Sequence, residues 1–543
     1  MAVGWWGKPV RQDNHPGLIL AAAALALHLW ANGGYDYFID ELNFIVCGQH
    51  LAWGYIDHPP LVPLIARLAR ELFGDSLLGL RLVPALAAAG LAALSAEAAG
   101  RLGGGAFARW LAGLAVLAAP VLSADGLLLS ADTLQPLAWL AASMILISAS
   151  RPEGEKRPLV WVALGVIVGL ALLAKYIMAF FLLAAGIGIV LTPARRMLLH
   201  KGPWLAAGTA ALVLLPNLLW QHAHGWPFLQ LNAAAYNGRN LTVGPLSYLL
   251  EEVLIVGPLT APVWIAGLAG FAAWPRLAGA RWLAIAWTVL MVLMLVLHGK
   301  SYYPAAIYPI LLAGGAVVVE AVVRARAARV AVVAATVAAG VALAPFTLPI
   351  LPVDRFIAYQ GVIARVAGLA SGEVAVDKQP TGELPPNYAN MFGWRDIAAA
   401  VGQAYASLPP DQRGHAVFFA RNYAEAAAID VFGGAWSLPA AISANNNYFL
   451  WGPRDHDGKA VLLLSTAPSP ELREAYAALG AEARIGEVEE VRQDLLKIYG
   501  SAEPVATIDP DHAYPFERHL TLWLCRDRRT SLVADWDTLK IYF

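Results

Sequence analysis

Asp40 and Glu41 stand side by side in Tyr35-Asp36-Tyr37-Phe38-Ile39-Asp40-Glu41-Leu42, a few residues beyond the first long apolar run and among aromatic rings. Partial burial would raise the pKa of such a carboxyl and suit it as a general base, whereas a nearby cation or metal would hold one of the pair ionised. The same pair also reads as solvated loop acids, or as a helix N-cap with Asp40 beginning the turn. Further on comes Tyr55-Ile56-Asp57-His58-Pro59-Pro60. Paired prolines fix the backbone, so Asp57 and His58 point in defined directions. An imidazolium held at a membrane surface can bind a phosphate head group; the plainer alternative is a rigid turn with two exposed polar residues.

Asp125 and Asp132 lie in VLSADGLLLSADTLQPLAWL, between two apolar runs. A carboxylate at the edge of a span costs little, and Asp132-Thr133 could simply cap the next helix. Arg81, Lys175 and Lys300, the last in Lys300-Ser301-Tyr302-Tyr303, are cations at the ends of spans. Snorkelling accounts for any one of them; their convergence on one face suits an anionic ligand. In WQHAHGWPFLQ, His222 and His224 are flanked by Trp220 and Trp226. Such a pair ligates a metal if a carboxylate joins it, and otherwise reads as an interfacial aromatic belt.

The elements that must position these groups are apolar helices. The chain has 543 residues, 58% hydrophobic and 14% charged, with mean hydropathy +0.56. Soluble domains carry about 25% charged residues, so a polytopic membrane protein is expected. Net charge −1 leaves no basic field for nucleic acid. Two distant cysteines, Cys47 and Cys525, fit neither a zinc motif nor a disulfide scaffold. The opening MAVGWWGKPVRQDNH reads as the lead into an uncleaved first span.

Apolar runs predict eleven spans, at 17–32, 79–99, 107–123, 127–149, 159–174, 177–193, 203–220, 248–271, 282–298, 304–322 and 330–350. With the N-terminus inside, cytoplasmic loops hold fifteen Lys and Arg residues, from Lys8 to Arg329; the opposite side holds six: Arg67, Arg70, Arg81, Lys175, Arg239 and Lys300. That bias puts residues 351–543 on the external face. Two long loops, 33–78 and 221–247, lie on the same side, where any chemistry is expected. Within the first, FIVCGQHLAWGYI and LVPLIARLARELFG read as amphipathic helices lying in the interface. In the tail, VAVDKQP, HAVFFARNY and KAVLLLSTA read as buried strands, and WRDIAAAVGQAYASL and ELREAYAALGAEA as amphipathic helices. The fold class expected is therefore a helical membrane domain, 1–350, followed by a small α/β domain, 351–543.

Taken in order, FIDEL, DHPPL, FG…RLVPAL, SADT, LLAKY, PNLLWQHAHGWP and GKSYYPAAIYPILLAGGA resemble the bacterial members of glycosyltransferase family 39 and the related lipid A aminoarabinose transferases. These are integral-membrane enzymes of the GT-C superfamily, and the likeness covers residues 15–325. The resemblance implies a bacterial inner-membrane enzyme taking one sugar from a polyprenyl-phosphate donor to a lipid, glycan or protein acceptor on the periplasmic face, with inversion. It implies Asp40 as the acceptor-activating carboxylate, Glu41 as a residue that orients the site, and Asp132 as a second acidic position. His58 falls where relatives have a lysine associated with the donor phosphate. A histidine is only partly charged near neutral pH, so Arg81, Lys175, Lys300, Tyr302 and Tyr303 are expected to share that role. Asp57 falls where relatives have a glutamate associated with a metal, and a divalent ion shared with His222 or His224 would follow. Glu251-Glu252 stand where a glutamine is expected.

Two rivals come from other classes. A transporter or flippase for lipid-linked sugars would show inverted repeats and mid-membrane ionisable groups; here no repeat is evident and the candidate groups collect at one face. A membrane-anchored binding protein would place its function in 351–543 and leave the carboxylates and cations of the first 325 residues idle.

Overall fold

The computed structural model describes residues 15–150, 157–234, 236, 243–367, 382–456, 458–466 and 496–542, with a few isolated positions between 473 and 493. Each of the eleven apolar runs falls on an apolar helix. Among the described residues, four helices are long and apolar enough to cross a membrane: Leu77–Arg101, Lys201–Ala223, Tyr303–Val322 and Arg326–Phe346. Two more qualify as bent pairs, Ile177–Val190 with Pro193–Leu199 (107°) and Pro245–Val256 with Ala261–Ala273 (115°). The remaining five, His15–Ala31, Ala106–Ala118, Gln135–Ala149, Pro158–Ala174 and Trp282–Val296, are shorter apolar helices. The second bend has a local cause. Gly257 adopts φ 102°, a left-handed conformation that suits glycine, and Pro258 follows it.

Small residues let the helices approach closely. A methyl group at Gly315 would collide with the Val263 carbonyl, and one at Gly267 with the Leu311 carbonyl, so Ala261–Ala273 and Tyr308–Val322 touch backbone to backbone. Deep in the bundle, Trp139 stacks on Phe181 with ring centroids 4.6 Å apart.

The first loop folds into two helices, Ile39–Gln49 and Leu61–Phe73. The second behaves as an interfacial helix, exposing Leu64, Leu68, Leu72 and Phe73. The first does not. Glu41 to Gly48 are all buried, packed between Leu61–Phe73 and the Tyr423–Phe432 helix of the tail. The interfacial expectation for FIVCGQHLAWGYI is thereby corrected, because its apolar residues Phe44, Ile45 and Val46 are buried against the tail rather than turned to a bilayer. Tyr37, Leu42, Phe44 and Ile45 share one apolar cluster with Ile397, Phe418, Ala424 and Leu462, so the loop and the tail have a common core.

Among its described residues the tail carries a five-stranded sheet of order β2-β1-β3-β5-β4. The strands are β1 (Ala416–Ala420), β2 (Ile442–Ser443), β3 (Ala460–Thr466), β4 (Tyr499–Ile508) and β5 (Leu520–Arg528). β1 pairs in parallel with β2 and β3, whereas β5 is antiparallel to β3 and β4. HAVFFARNY and KAVLLLSTA match β1 and β3, and WRDIAAAVGQAYASL matches the helix Trp394–Ser407. VAVDKQP and most of ELREAYAALGAEA lie outside the described residues. β4 carries Pro504 next to a register irregularity, which an edge strand tolerates.

Candidate active site

Asp40 and Glu41 occupy the first turn of the Ile39–Gln49 helix, whose N-cap is Phe38. Asp40 therefore does not cap the helix; both carboxylates sit where the helix dipole favours negative charge. Glu41 is fully buried, and the Arg81 guanidinium pairs with it in bidentate fashion, Nε to Oε1 at 2.9 Å and Nη2 to Oε2 at 2.8 Å. Arg81 also donates to the Asn32 carbonyl (2.8 Å) and the Asp36 carbonyl (2.9 Å). All three guanidinium nitrogens are thus engaged and the side chain is 0% exposed. This corrects the expectation of Arg81 as a phosphate ligand: desolvated and paired, it anchors the loop. Glu41 in turn accepts the N–H groups of Phe38 (2.9 Å) and Leu129 (3.2 Å), tying the first loop to the segment that leads into Asp132.

Asp40 remains half-buried at the outer side of this pair, and the Tyr423 hydroxyl donates to its Oδ1 at 3.1 Å. Beyond the helix, His58 Nδ1 lies 2.8 Å from Asp57 Oδ1. Asn447 Nδ2 donates to the same oxygen at 2.7 Å, and Asn43 Nδ2 reaches Oδ2 at 3.3 Å. Burial alone would raise the Asp57 carboxyl, but the neighbouring His58 charge and these hydrogen bonds together hold it below the usual carboxylate range. The imidazole is stacked on Tyr55 (4.7 Å) and edge-on to Phe44 (4.8 Å). His58 is 4% exposed, and its Nε2 is buried with no hydrogen-bond partner in the protein. A turn with two exposed polar residues is therefore not what forms.

The second group gathers around Lys175, whose Nζ lies 2.6 and 2.9 Å from the two Asp132 oxygens. The same ammonium is 4.5 Å from the Tyr303 ring centre and 5.4 Å from that of Tyr302, while Lys300 Nζ lies 5.8 Å from the Tyr302 ring. Four expected site residues thus surround Lys175 or its aromatic neighbours. Asp132 does not cap Gln135–Ala149, whose N-cap is Leu134. Asp125 stands nearby: burial, and then the Asp132 charge, push its carboxyl well above the usual range despite Lys175. Glu252 is buried and accepts the Tyr308 hydroxyl at 2.8 Å, a structural bond inside the bundle.

His222 and His224 are exposed. His224 stacks on Trp220 at 4.0 Å and bonds its carbonyl through Nδ1 at 2.8 Å; His222 lies edge-on to Trp226 at 6.2 Å. This is the arrangement of an aromatic belt with polar interruptions. Among the described residues no three His, Cys, Asp or Glu side chains gather into a metal set. Asp57 is engaged by His58, Asn43 and Asn447, so the expected metal site of Asp57 with His222 or His224 does not fit this geometry.

Sequence reasoning missed Tyr423, Asn447 and Arg395, all from the tail. Arg395 pairs with Asp36 at 2.5 Å. The one available signal was Asn445-Asn446-Asn447, three consecutive amides in an otherwise apolar segment.

Comparison with known proteins agrees with this architecture. Residues 57–220 match the family described as dolichyl-phosphate-mannose-protein mannosyltransferase. Over 190 residues, 35% of this chain, the sequence is 29% identical to the lipid A galacturonosyltransferase RgtD of Rhizobium johnstonii. The matched part spans 39% of that relative's length. The fold is similar to that of ArnT from Cupriavidus metallidurans bound to undecaprenyl phosphate, with TM-score 0.58 and 17% identity over 94% of this chain and 98% of that one. The apo state of the same protein gives 0.54 and 14%, over 93% and 97%. The resemblance read from the sequence runs in the same direction as these likenesses, and the expected fold class, a helical membrane domain with an α/β tail, is borne out.

Proposed function

We propose that this protein is an inverting glycosyltransferase of the bacterial inner membrane, moving a single sugar from a polyprenyl-phosphate donor to an acceptor hydroxyl on the periplasmic face. Its N-terminus would then be cytoplasmic and its α/β tail periplasmic. The observation that carries the reading is the pairing of two unlike groups through one residue. Glu41 links the segment bearing the half-buried Asp40 to the segment bearing Asp132 and its Lys175 partner. The names of the relatives point the same way: one acts on lipid A, and the other is bound to undecaprenyl phosphate.

The chemistry needs both groups. As the bond between the anomeric carbon and the phosphate oxygen breaks, positive charge builds on the sugar and negative charge on the departing phosphate. Lys175 and Lys300, with the Tyr302 and Tyr303 hydroxyls, are the donor-side groups that stabilise the phosphate. His58 can add a proton-bearing Nε2, which a phosphate oxygen would satisfy. On the opposite face the acceptor oxygen forms its bond to the anomeric carbon and its proton passes to Asp40. The electron pair of the broken bond leaves with the polyprenyl phosphate, which needs no protonation. A lipid acceptor is favoured by the lipid A relative. No step is routed through a metal.

The test uses the purified protein in nanodiscs with a panel of radiolabelled polyprenyl-phosphate sugars and membrane extract as acceptor. Release of sugar from one donor by wild type, abolished in Asp40→Asn, supports the reading. Tight binding of a donor with no turnover would instead favour a lipid-linked sugar transporter.

A further inference from the structure

Strand β1 has β2 on one side and β3 on the other, all three parallel, and the chain passes from β1 to β2 before crossing to β3. In an open sheet with this topology, the segments leaving the carboxyl ends of the strands diverge, and ligand-binding groups collect in the crevice between them. The segment after β1 is Arg421-Asn422-Tyr423; that after β2 is Ala444-Asn445-Asn446-Asn447. Both reach the first loop, and they reach it at its ionisable residues.

Tyr423 donates its hydroxyl to Asp40 Oδ1 at 3.1 Å. Asn447 donates to Asp57 Oδ1 at 2.7 Å, and its own Oδ1 accepts the Ile56 N–H at 2.8 Å, so one amide grips both the backbone and the carboxylate of the loop. The two segments are locked to each other by the Tyr423 N–H on Asn445 Oδ1 at 3.0 Å. Beneath them, Arg421 is buried between Glu425 and Glu517, and Asn422 Nδ2 donates to Glu517 at 2.9 Å. Asn445, Asn446 and Asn447 are each at most 2% exposed. Burying amides is costly unless their hydrogen bonds are made, and here two of the three direct them at the segments that hold or contact the loop. Because His58 Nδ1 lies 2.8 Å from the same Asp57 Oδ1, Asn447 and His58 share one carboxylate oxygen, and Asn447 helps hold the imidazole with Nε2 directed away from Asp57.

We infer that Tyr423 and Asn447 are positioning residues for the transfer: from the carboxyl ends of two parallel strands, the α/β domain orients Asp40 and the Asp57–His58 pair. The inference rests on the proposed glycosyltransferase reading. It makes the tail part of the active site, although every reacting group sits in the first 325 residues.

The experiment measures kcat, donor KM and thermal unfolding of the full-length protein in nanodiscs for wild type, Tyr423→Phe and Asn447→Ala. Tyr423→Phe keeps the ring and removes only the hydroxyl. It is expected to lower kcat by about 10–100-fold, as loss of an orienting partner does, with donor KM and unfolding midpoint unchanged. Asn447→Ala is expected to raise donor KM by about tenfold through His58. In an Asp40→Glu background, where the carboxylate is carried one methylene away, Tyr423→Phe should cost no more than about twofold, a non-additivity expected only of contacting partners. A kcat for Tyr423→Phe within twofold of wild type, or an equal loss in both backgrounds, overturns the inference. Absence of turnover in wild type overturns the glycosyltransferase reading instead. The positioning contacts are then read by hydrogen exchange over residues 39–58, which the Tyr423→Phe/Asn447→Ala double variant should accelerate; unchanged exchange overturns the contacts as well.

Discussion

Arg81 and Glu41, forty residues apart in sequence, form a bidentate ion pair with neither side chain exposed to solvent. Removing one partner of such a pair leaves an uncompensated buried charge and costs about 3–5 kcal/mol. Arg81→Met is therefore expected to lower the unfolding midpoint sharply and to reduce the yield of folded protein. Arg81→Met combined with Glu41→Gln should recover part of the loss. Thermal unfolding in detergent checks both, and a neutral Arg81→Met would mean the pair is not buried as described.

Asp40 has a different role and a different signature. Asp40→Asn preserves size and the ability to accept from Tyr423 but cannot take the acceptor proton. The loss of a general base is worth about 10²–10⁴-fold in rate, so turnover should fall by that factor while expression and donor binding stay near wild type. Near-wild-type turnover would remove Asp40 from the mechanism.

Lys175, held by Asp132 and two tyrosine rings, is the cation proposed for the donor phosphate. Loss of a hydrogen bond to a charged group is worth about 1.5–3 kcal/mol, so Lys175→Met should weaken donor binding by roughly 10–150-fold at that value. Asp132→Asn frees the ammonium without removing it, and should weaken binding less. Equal donor affinity in wild type and Lys175→Met, measured by isothermal titration in nanodiscs, would place the phosphate elsewhere.

Asp57 ties stability to pH. Its carboxyl is held below the ordinary range in the folded protein, because His58 and the hydrogen bonds outweigh the burial that opposes them. A depressed folded pKa contributes stability that is present above the unfolded value, about 3.9, and is lost as pH falls through the folded value. Wild type should therefore lose stability more steeply than Asp57→Asn between about pH 5 and pH 3. Parallel unfolding curves for the two proteins across that window would show that Asp57 makes no such contribution.

The sequence by itself determined the apolar helices, because their hydrophobic runs need no distant partner to be recognised, and it placed Asp40, Asp132, Lys175 and Lys300 at helix ends for the same reason. It also indicated β1 and β3, whose residues are apolar on both faces. It did not indicate β4 and β5, one interrupted by Pro504 and the other ending in Arg526-Asp527-Arg528. What the cations and carboxylates face was decided only by tertiary structure. Arg81 and Lys175 look alike as basic residues at span ends, yet one is consumed by Glu41 and the other sits beside tyrosines, and nothing local to either residue distinguishes them. Tyr423 and Asn447 lie 383 and 390 residues from the carboxylates they hold. Such contacts arise because the first loop buries its apolar residues against the tail, and hydrophobic burial brings the polar partners into register only once that shared core has formed.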